Sequence, residues 1–226
     1  MVALDLGPVW LSIQLASVTV AVLLCIATPV AWWLAFTGSR LRSVVEAIVA
    51  LPLVLPPTVL GFYLLVLMSP TSPIGRLWVA ITDTTLTFSF SGLVVASIVY
   101  SLPFAVQPIQ TGFESVGDAP LEAAATLGAS RFRQFISIAS PLAARGYVTA
   151  AVLSFAHTLG EFGVVLMVGG NIPGSTRVIS IAIYEHVETL SYREAHLLSA
   201  GLLVFSFVVL LAVFALNRKN PLRTSA

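Results

Sequence analysis

Three stretches of this chain carry no formal charge over more residues than a helix needs to cross a membrane: Leu6 to Ser39, Ala47 to Gly75, and Thr84 to Phe113. A hydrocarbon core takes roughly 20 residues of α-helix. A fourth apolar stretch, from about Gly146 to Val168, is interrupted only by Glu161 and the titratable His157, and a fifth, Ala195 to Asn217, carries no formal charge. Unpaired backbone cannot face lipid, and these runs are continuous rather than alternating in strands of about ten residues, so helices are expected and a barrel is not. The expected fold is all-α and polytopic. Its five spanning helices fall at about 10–36, 45–68, 87–111, 146–168 and 195–217, in a single transmembrane domain over residues 1–226.

Composition closes the other routes. The chain is 58% hydrophobic and 9% charged, against about a quarter charged in soluble domains, which excludes a soluble globular enzyme. A mean hydropathy of +0.98 with a net charge of +1 is the reverse of a disordered chain. Eleven basic residues against ten acidic ones leave no field for nucleic acid. With Cys25 as the single cysteine, no internal disulfide or cysteine metal cluster can form, and no metal or cofactor site is expected. Met1 to Leu6 lacks the basic region of a signal peptide, so the first run is expected to stay as a helix.

An odd number of spans puts the termini on opposite sides. Arg40, Arg42, Arg131, Arg133, Arg145, Arg218, Lys219 and Arg223 fall on one side, and Arg76, Arg177 and Arg193 on the other. The positive-inside rule then places the N-terminus outside and the C-terminus in the cytoplasm. Trp10, Trp32, Trp33 and Trp78 near span ends read as interfacial anchors in contact with membrane lipid.

The cytoplasmic loop at 117–141 is longer than a chain reversal needs. Asp118 is expected to cap a short helix with Pro120 in its first turn, and Leu121, Ala124, Ala125 and Gly128 share a face, with Gly128 ending it in a left-handed turn. A second helix begins at Ser130, carries Phe132, Phe135, Ile136 and Ala139 on one face, and is expected to stop at Pro141. Such helices either dock a cytoplasmic partner or rest on lipid headgroups.

Glu122-Ala123-Ala124, then Gly128, Ile138 and Pro141, resemble the EAA loop of bacterial importer permeases, departing from it at Ser140, where that family usually carries leucine. The stretches Leu51 to Thr58, His157 to Gly163 and Asn171 to Thr176 resemble the molybdate ABC transporter permeases, and the likeness runs from about Trp10 to Leu216. Sulfate permeases are the nearest confusable relatives. The resemblance implies a permease subunit rather than an enzyme: a homodimer forming one path, two copies of a separate cytoplasmic ATPase subunit, and an extracytoplasmic oxyanion-binding protein delivering molybdate or tungstate. It implies that Glu122, Ala123, Ala124, Gly128 and Pro141 couple the loop to the ATPase. Consistent with a separate ATPase, a phosphate-cradling loop needs Gly-Lys-Ser/Thr, and the single lysine, Lys219, is followed by Asn220. Only Arg218 to Ala226 follow the last span, so no regulatory domain is expected there.

Glu161 at helix-centre depth would cost roughly 2.5–3.5 kcal/mol if uncompensated, so it must be protonated, paired or in a wet cavity. His157 lies one turn before it and Ser154 three residues earlier, so the three can form a polar stripe, serving either the pathway or a hydrogen-bonded structural patch. Gly160 and Gly163 around Glu161, and Pro52, Pro56 and Pro57 in the second span, permit broken helices that line a cavity. Pro57, Thr58, Ser154, His157, Gly160, Glu161 and Gly163 are the candidate path or gate. On the outer side, Asn171 to Thr176 reads as a turn. A re-entrant or interfacial helix follows, with a mixed-charge rim of Arg177, Arg193, Glu185, Glu188 and Glu194 that meets either the binding protein or water. Two rival classes remain. An intramembrane hydrolase using Ser154, His157 and Glu161 lacks a nucleophile motif, and a proton-coupled carrier relaying through Glu161 and His157 gives the coupling loop no role.

Overall fold

The structure, a computed structural model, describes residues 5–218; Lys219 and Arg223 of the basic group lie outside them. The described residues form helices α1 (Gly7–Phe36), α2 (Arg42–Val54), α3 (Pro57–Met68), α4 (Pro73–Thr82), α5 (Phe90–Val116), α6 (Ala119–Thr126) and α7 (Arg131–Gln134), then a π-helical turn (Phe135–Ala139). There follow α8 (Ser140–Leu142), α9 (Ala144–Gly160), α10 (Gly163–Gly169), α11 (Ile179–Glu188) and α12 (Tyr192–Arg218), with no strand among the described residues. Helices α1, α5 and α12 are long and apolar enough to cross a membrane, and two bent pairs raise the number of crossings to as many as five.

Bends come where the backbone ladder is cut. Pro56 and Pro57 cannot donate to the α2 ladder, and α3 leaves α2 at 111°. The fourth apolar interval is likewise not one helix: α9 ends at Gly160, Glu161 is extended (φ −68°, ψ 132°), and α10 begins at Gly163. Ser72 and Ser89 cap α4 and α5 by accepting from Gly75 and Gly92 N–H at 2.9 and 3.2 Å.

Helix α5 is the axis of the bundle. Leu23, Ala27 and Leu34 of α1 meet Val106, Ile109 and Phe113 of α5 in the main core. Leu15 of α1 meets Leu93 of α5 towards the other end, so these two helices run parallel. Helix α9 runs antiparallel to α5, with Tyr147 beside Phe113 (5.9 Å) and Glu161 bonded to Ser97. Leu64 and Met68 of α3 join Val164 and Val168 of α10 in a second core. This packing gathers Arg40, Arg42, Arg131, Arg133 and Arg145 at the end that carries α6 and α7, with Arg177 and α11 at the opposite end.

Three local expectations are corrected. Asp118 has helical backbone and makes no side-chain cap; its carbonyl accepts from the N–H groups of Leu121 and Glu122 instead. Ser130 does cap, accepting from Arg133 N–H at 3.3 Å. Pro141 does not stop its helix, because the preceding π-turn shifts the hydrogen-bond register, with Ser140 N–H donating to Phe135, and α8 continues to Leu142. The segment Arg131–Leu142 then meets α9 at 69°. Trp32 is no interfacial anchor: it packs against Phe36, Phe113 and Phe135 at 4.5, 5.1 and 5.2 Å.

Candidate functional site

The two broken spans meet at their breaks. Pro57 opens α3, where its missing N–H and fixed φ suit the first turn, and a Cβ on Gly163 would sit 2.8 Å from its Cβ. A Cβ on Gly61 would likewise lie 2.8 Å from Met167 Cβ, so α3 and α10 pack closely at their glycines. Thr58 is exposed beside this junction, and Gly160 is exposed with open space around it.

A polar seam crosses the apolar bundle behind the junction. Glu161 is 3% exposed. Its Oε2 accepts from the Ser97 hydroxyl at 2.8 Å, its carbonyl accepts from Ser180 of α11, and its Oε1 has no partner. Ser101, one turn after Ser97, shares hydrogen bonds with His157 Nδ1 (2.9 Å) and Thr158 (3.0 Å). The His157 ring stacks on Phe104 at 4.1 Å, with Tyr100 at 4.7 Å. The Ser154 hydroxyl is buried without a partner, as is that of Thr19 on α1.

Ser154, His157 and Glu161 therefore share one stretch of chain, but His157 and Glu161 bond to α5 and the Ser154 hydroxyl meets no base. The arrangement ties α5 to α9 and to the α9–α10 break, with Ser101 rather than Ser154 bonded to the His157 ring. Ser97, Ser101, Thr158 and Ser180 complete the seam and were missed from sequence. The signal that could have found the first two is their four-residue spacing, which puts both hydroxyls on one face of α5.

At the basic end, α6 lies on the bundle through Leu121 and Ala124, which are buried. Glu122, Ala123, Ala125 and Gly128 face outward, so the expected four-residue face is split. Gly128 has φ +82°, the left-handed turn that glycine adopts at little cost, and its N–H donates to Ala125 at 2.9 Å. Leu127 and Phe132 stand out at 89% and 73% exposure, and Pro141 is exposed at the far end of the loop. Arg42 bridges Glu46 (2.9 Å) and Glu114 (2.8 Å), and Gln110 donates to both carboxylates, which ties α2 to α5 beside this surface. At the opposite end Arg177 pairs with Glu185 at 3.2 Å, and Asn171 bonds to both residues.

Comparison with known proteins gives this architecture a family. Residues 27–220 match the model of the binding-protein-dependent transport system inner membrane component. The chain is 55% identical over 214 residues to the molybdenum transport system permease protein ModB of Azotobacter vinelandii, covering 95% of each. It is 37% identical over 204 residues to a putative molybdenum transport system permease of Bacillus subtilis (strain 168), covering 90% of this chain and 89% of that one. The sulfate transport system permease protein CysT of Escherichia coli (strain K12) is 33% identical over 178 residues, 79% of this chain and 64% of that protein. Among solved structures, a bacterial ABC transporter involved in the import of alginate superposes with a TM-score of 0.73 at 16% identity, covering 98% of this chain and 82% of that one, a likeness of fold. The chain belongs to the binding-protein-dependent transport system inner membrane components, as a multi-pass membrane permease subunit and not an enzyme.

Proposed function

We propose that this chain is the permease of an ATP-driven importer and carries molybdate, or the similar dianion tungstate, by alternating access. The observation that carries the reading is 55% identity across 95% of both chains with a molybdenum transport permease. The chain acts as a homodimer, with its N-terminus outside and its C-terminus in the cytoplasm. Two ATPase chains seat on the loop surface of Glu122, Ala123, Ala124, Gly128 and Pro141, where the outward Leu127 and Phe132 supply apolar anchors of the kind that fill a partner's pocket. An oxyanion-binding protein delivers cargo at the α10–α11 end. The junction of broken spans, with Pro57, Thr58, Gly160 and Gly163, lies on the path or its gate, and Ser154, His157 and Glu161 brace it from behind. The spans carry no arginine cluster, which suits a path that passes a dianion without trapping it.

The test is purification of the tagged subunit from its native membrane in mild detergent, mass spectrometry of what co-purifies, and an ATPase assay. An ATPase chain whose activity rises with molybdate-loaded binding protein is the expected result. Stimulation by sulfate alone would move the chain to the sulfate permeases, and the absence of any ATPase chain would overturn the importer reading. Gly128→Trp tests the docking surface: the added side chain meets no neighbour within 4 Å, though the left-handed φ of +82° strains the turn locally, so membrane insertion is expected to persist and transport to be lost. Normal transport by that variant would place the seat elsewhere.

A further inference from the structure

His157 braces the bundle with one edge of its ring and leaves the other edge free. Its Nδ1 shares a hydrogen bond with the Ser101 hydroxyl at 2.9 Å, and Ser101 shares another with Thr158 at 3.0 Å. Ser101 and Thr158 are buried, whereas His157 is half-buried. Nε2, on the far edge of the ring, has no hydrogen-bond partner among the described residues. The Tyr100 hydroxyl has none either, and its ring lies beside the imidazole with centroids 4.7 Å apart. A donor left half-open in an apolar bundle must meet water, cargo or protein, because hydrocarbon offers no acceptor.

Counting protons assigns the tautomer. Thr158 and Ser101 each carry one hydroxyl proton, and among the described residues each has only this chain of bonds in which to place it. If Thr158 donates to Ser101 and Ser101 donates to Nδ1, both buried protons are used and the ring proton sits on Nε2. A proton on Nδ1, in the other tautomer or in the charged ring, would make Ser101 donate to Thr158 and strand the Thr158 proton. The free edge lies beside the junction of the broken spans. Tyr100 packs with Leu60, in the first turn of α3, against the second core. Gly160, one turn after His157, is exposed, and a Cβ there would meet nothing within 4 Å. Glu161, the acid of this stretch, is held inside the bundle by Ser97.

We propose that His157 Nε2–H and the Tyr100 hydroxyl form a donor pair that a tetrahedral oxyanion touches as it passes the junction, with Ser101 as the positioning residue that fixes the His157 tautomer. The proposal rests on the importer reading above. Phe104, stacked on the imidazole at 4.1 Å, holds the plane of the ring. An ionised oxygen is a better acceptor than a neutral one, so the pair favours the oxyanion over water, and without a full positive charge it does not trap the cargo.

The test is nitrogen NMR of the assembled, histidine-labelled transporter in mild detergent, with His157 assigned as the signals lost in His157→Gln. Nε2 is expected to carry the proton and to shift when excess molybdate is added, against sodium chloride of equal ionic strength as control. Ser101→Ala is expected to move part of that proton to Nδ1. A proton on Nδ1 in the unmodified chain would overturn the proposal. So would an Nε2 signal that ignores molybdate in an active transporter, which would mean that lipid or a second copy covers this edge. The functional readout is molybdate moved per ATP hydrolysed in proteoliposomes supplied with loaded binding protein. His157→Phe keeps an aromatic ring and is expected to lower that ratio about tenfold, the worth of one hydrogen bond to a charged group. His157→Gln offers an acceptor to Ser101 and a donor outward, and should restore most of it. An undiminished ratio in His157→Phe would overturn the pair, and where that variant does not assemble, the NMR of the unmodified chain decides. If the unmodified complex shows no molybdate-stimulated ATP hydrolysis, the importer reading fails on its own evidence, separately from the resonances.

Discussion

Glu161 is a buried acid at the break between α9 and α10. Its carboxyl oxygen accepts from Ser97 and its carbonyl from Ser180, so it holds α5 and α11 to the point where the α9 ladder ends. Glu161→Gln keeps the volume and an acceptor oxygen, and folding and assembly are expected to persist. Loss of folding or of the proposed dimer in that variant would show that the carboxylate itself holds the patch together. Ser97→Ala instead strips a buried oxygen of its donor and is expected to cost about 1–3 kcal/mol, read as a lower melting temperature in detergent. Glu161 was visible in the sequence as a misplaced acid, and its need for compensation followed from solvation alone. Its partner was not visible: serines are common in apolar helices, and only the packing of α9 on α5 selects Ser97 and Ser101 from the others.

The broken helices divide along the same line. Pro56 and Pro57 cut α2 from α3 by removing donors, and that break is written in the residue types. The break at Glu161 is written only as permission, through Gly160 and Gly163; what uses the permission is Pro57, which occupies the space a Gly163 side chain would fill. Gly163→Ala is therefore expected to push α3 from α10 and lower stability by about 1–3 kcal/mol. Leu127→Asp is its opposite: at 89% exposure it should leave the melting temperature unchanged and abolish co-purification with the ATPase. Asp118 and Pro141 mislead for a shared reason. Capping and stopping rules assume that the chain enters and leaves a helix in the usual way, whereas here Asp118 is already helical and a π-turn accommodates Pro141.

Across the whole bundle, the parallel run of α1 and α5 and the return of α9 collect the basic residues at the end bearing α6. Sidedness follows as a prediction. In a Cys25→Ser background, Thr189→Cys at the end of α11 should react with a membrane-impermeant thiol reagent in intact cells, and Ser39→Cys between α1 and α2 only after lysis. The reverse pattern would invert the assigned orientation. What the residues determined alone was the membrane class, the all-helical architecture and the partition of charge, because transfer of charge and unpaired backbone into hydrocarbon is costly enough to decide these matters locally. The EAA loop was legible too, since its small residues, Pro120 and Gly128 encode a short helix and its turn. What only the tertiary structure decided was contact between distant segments. The meeting of the two broken spans and the serine partners of Glu161 and His157 both depend on helix register and crossing. These are set by close packing of many weak contacts, which no single stretch of sequence carries.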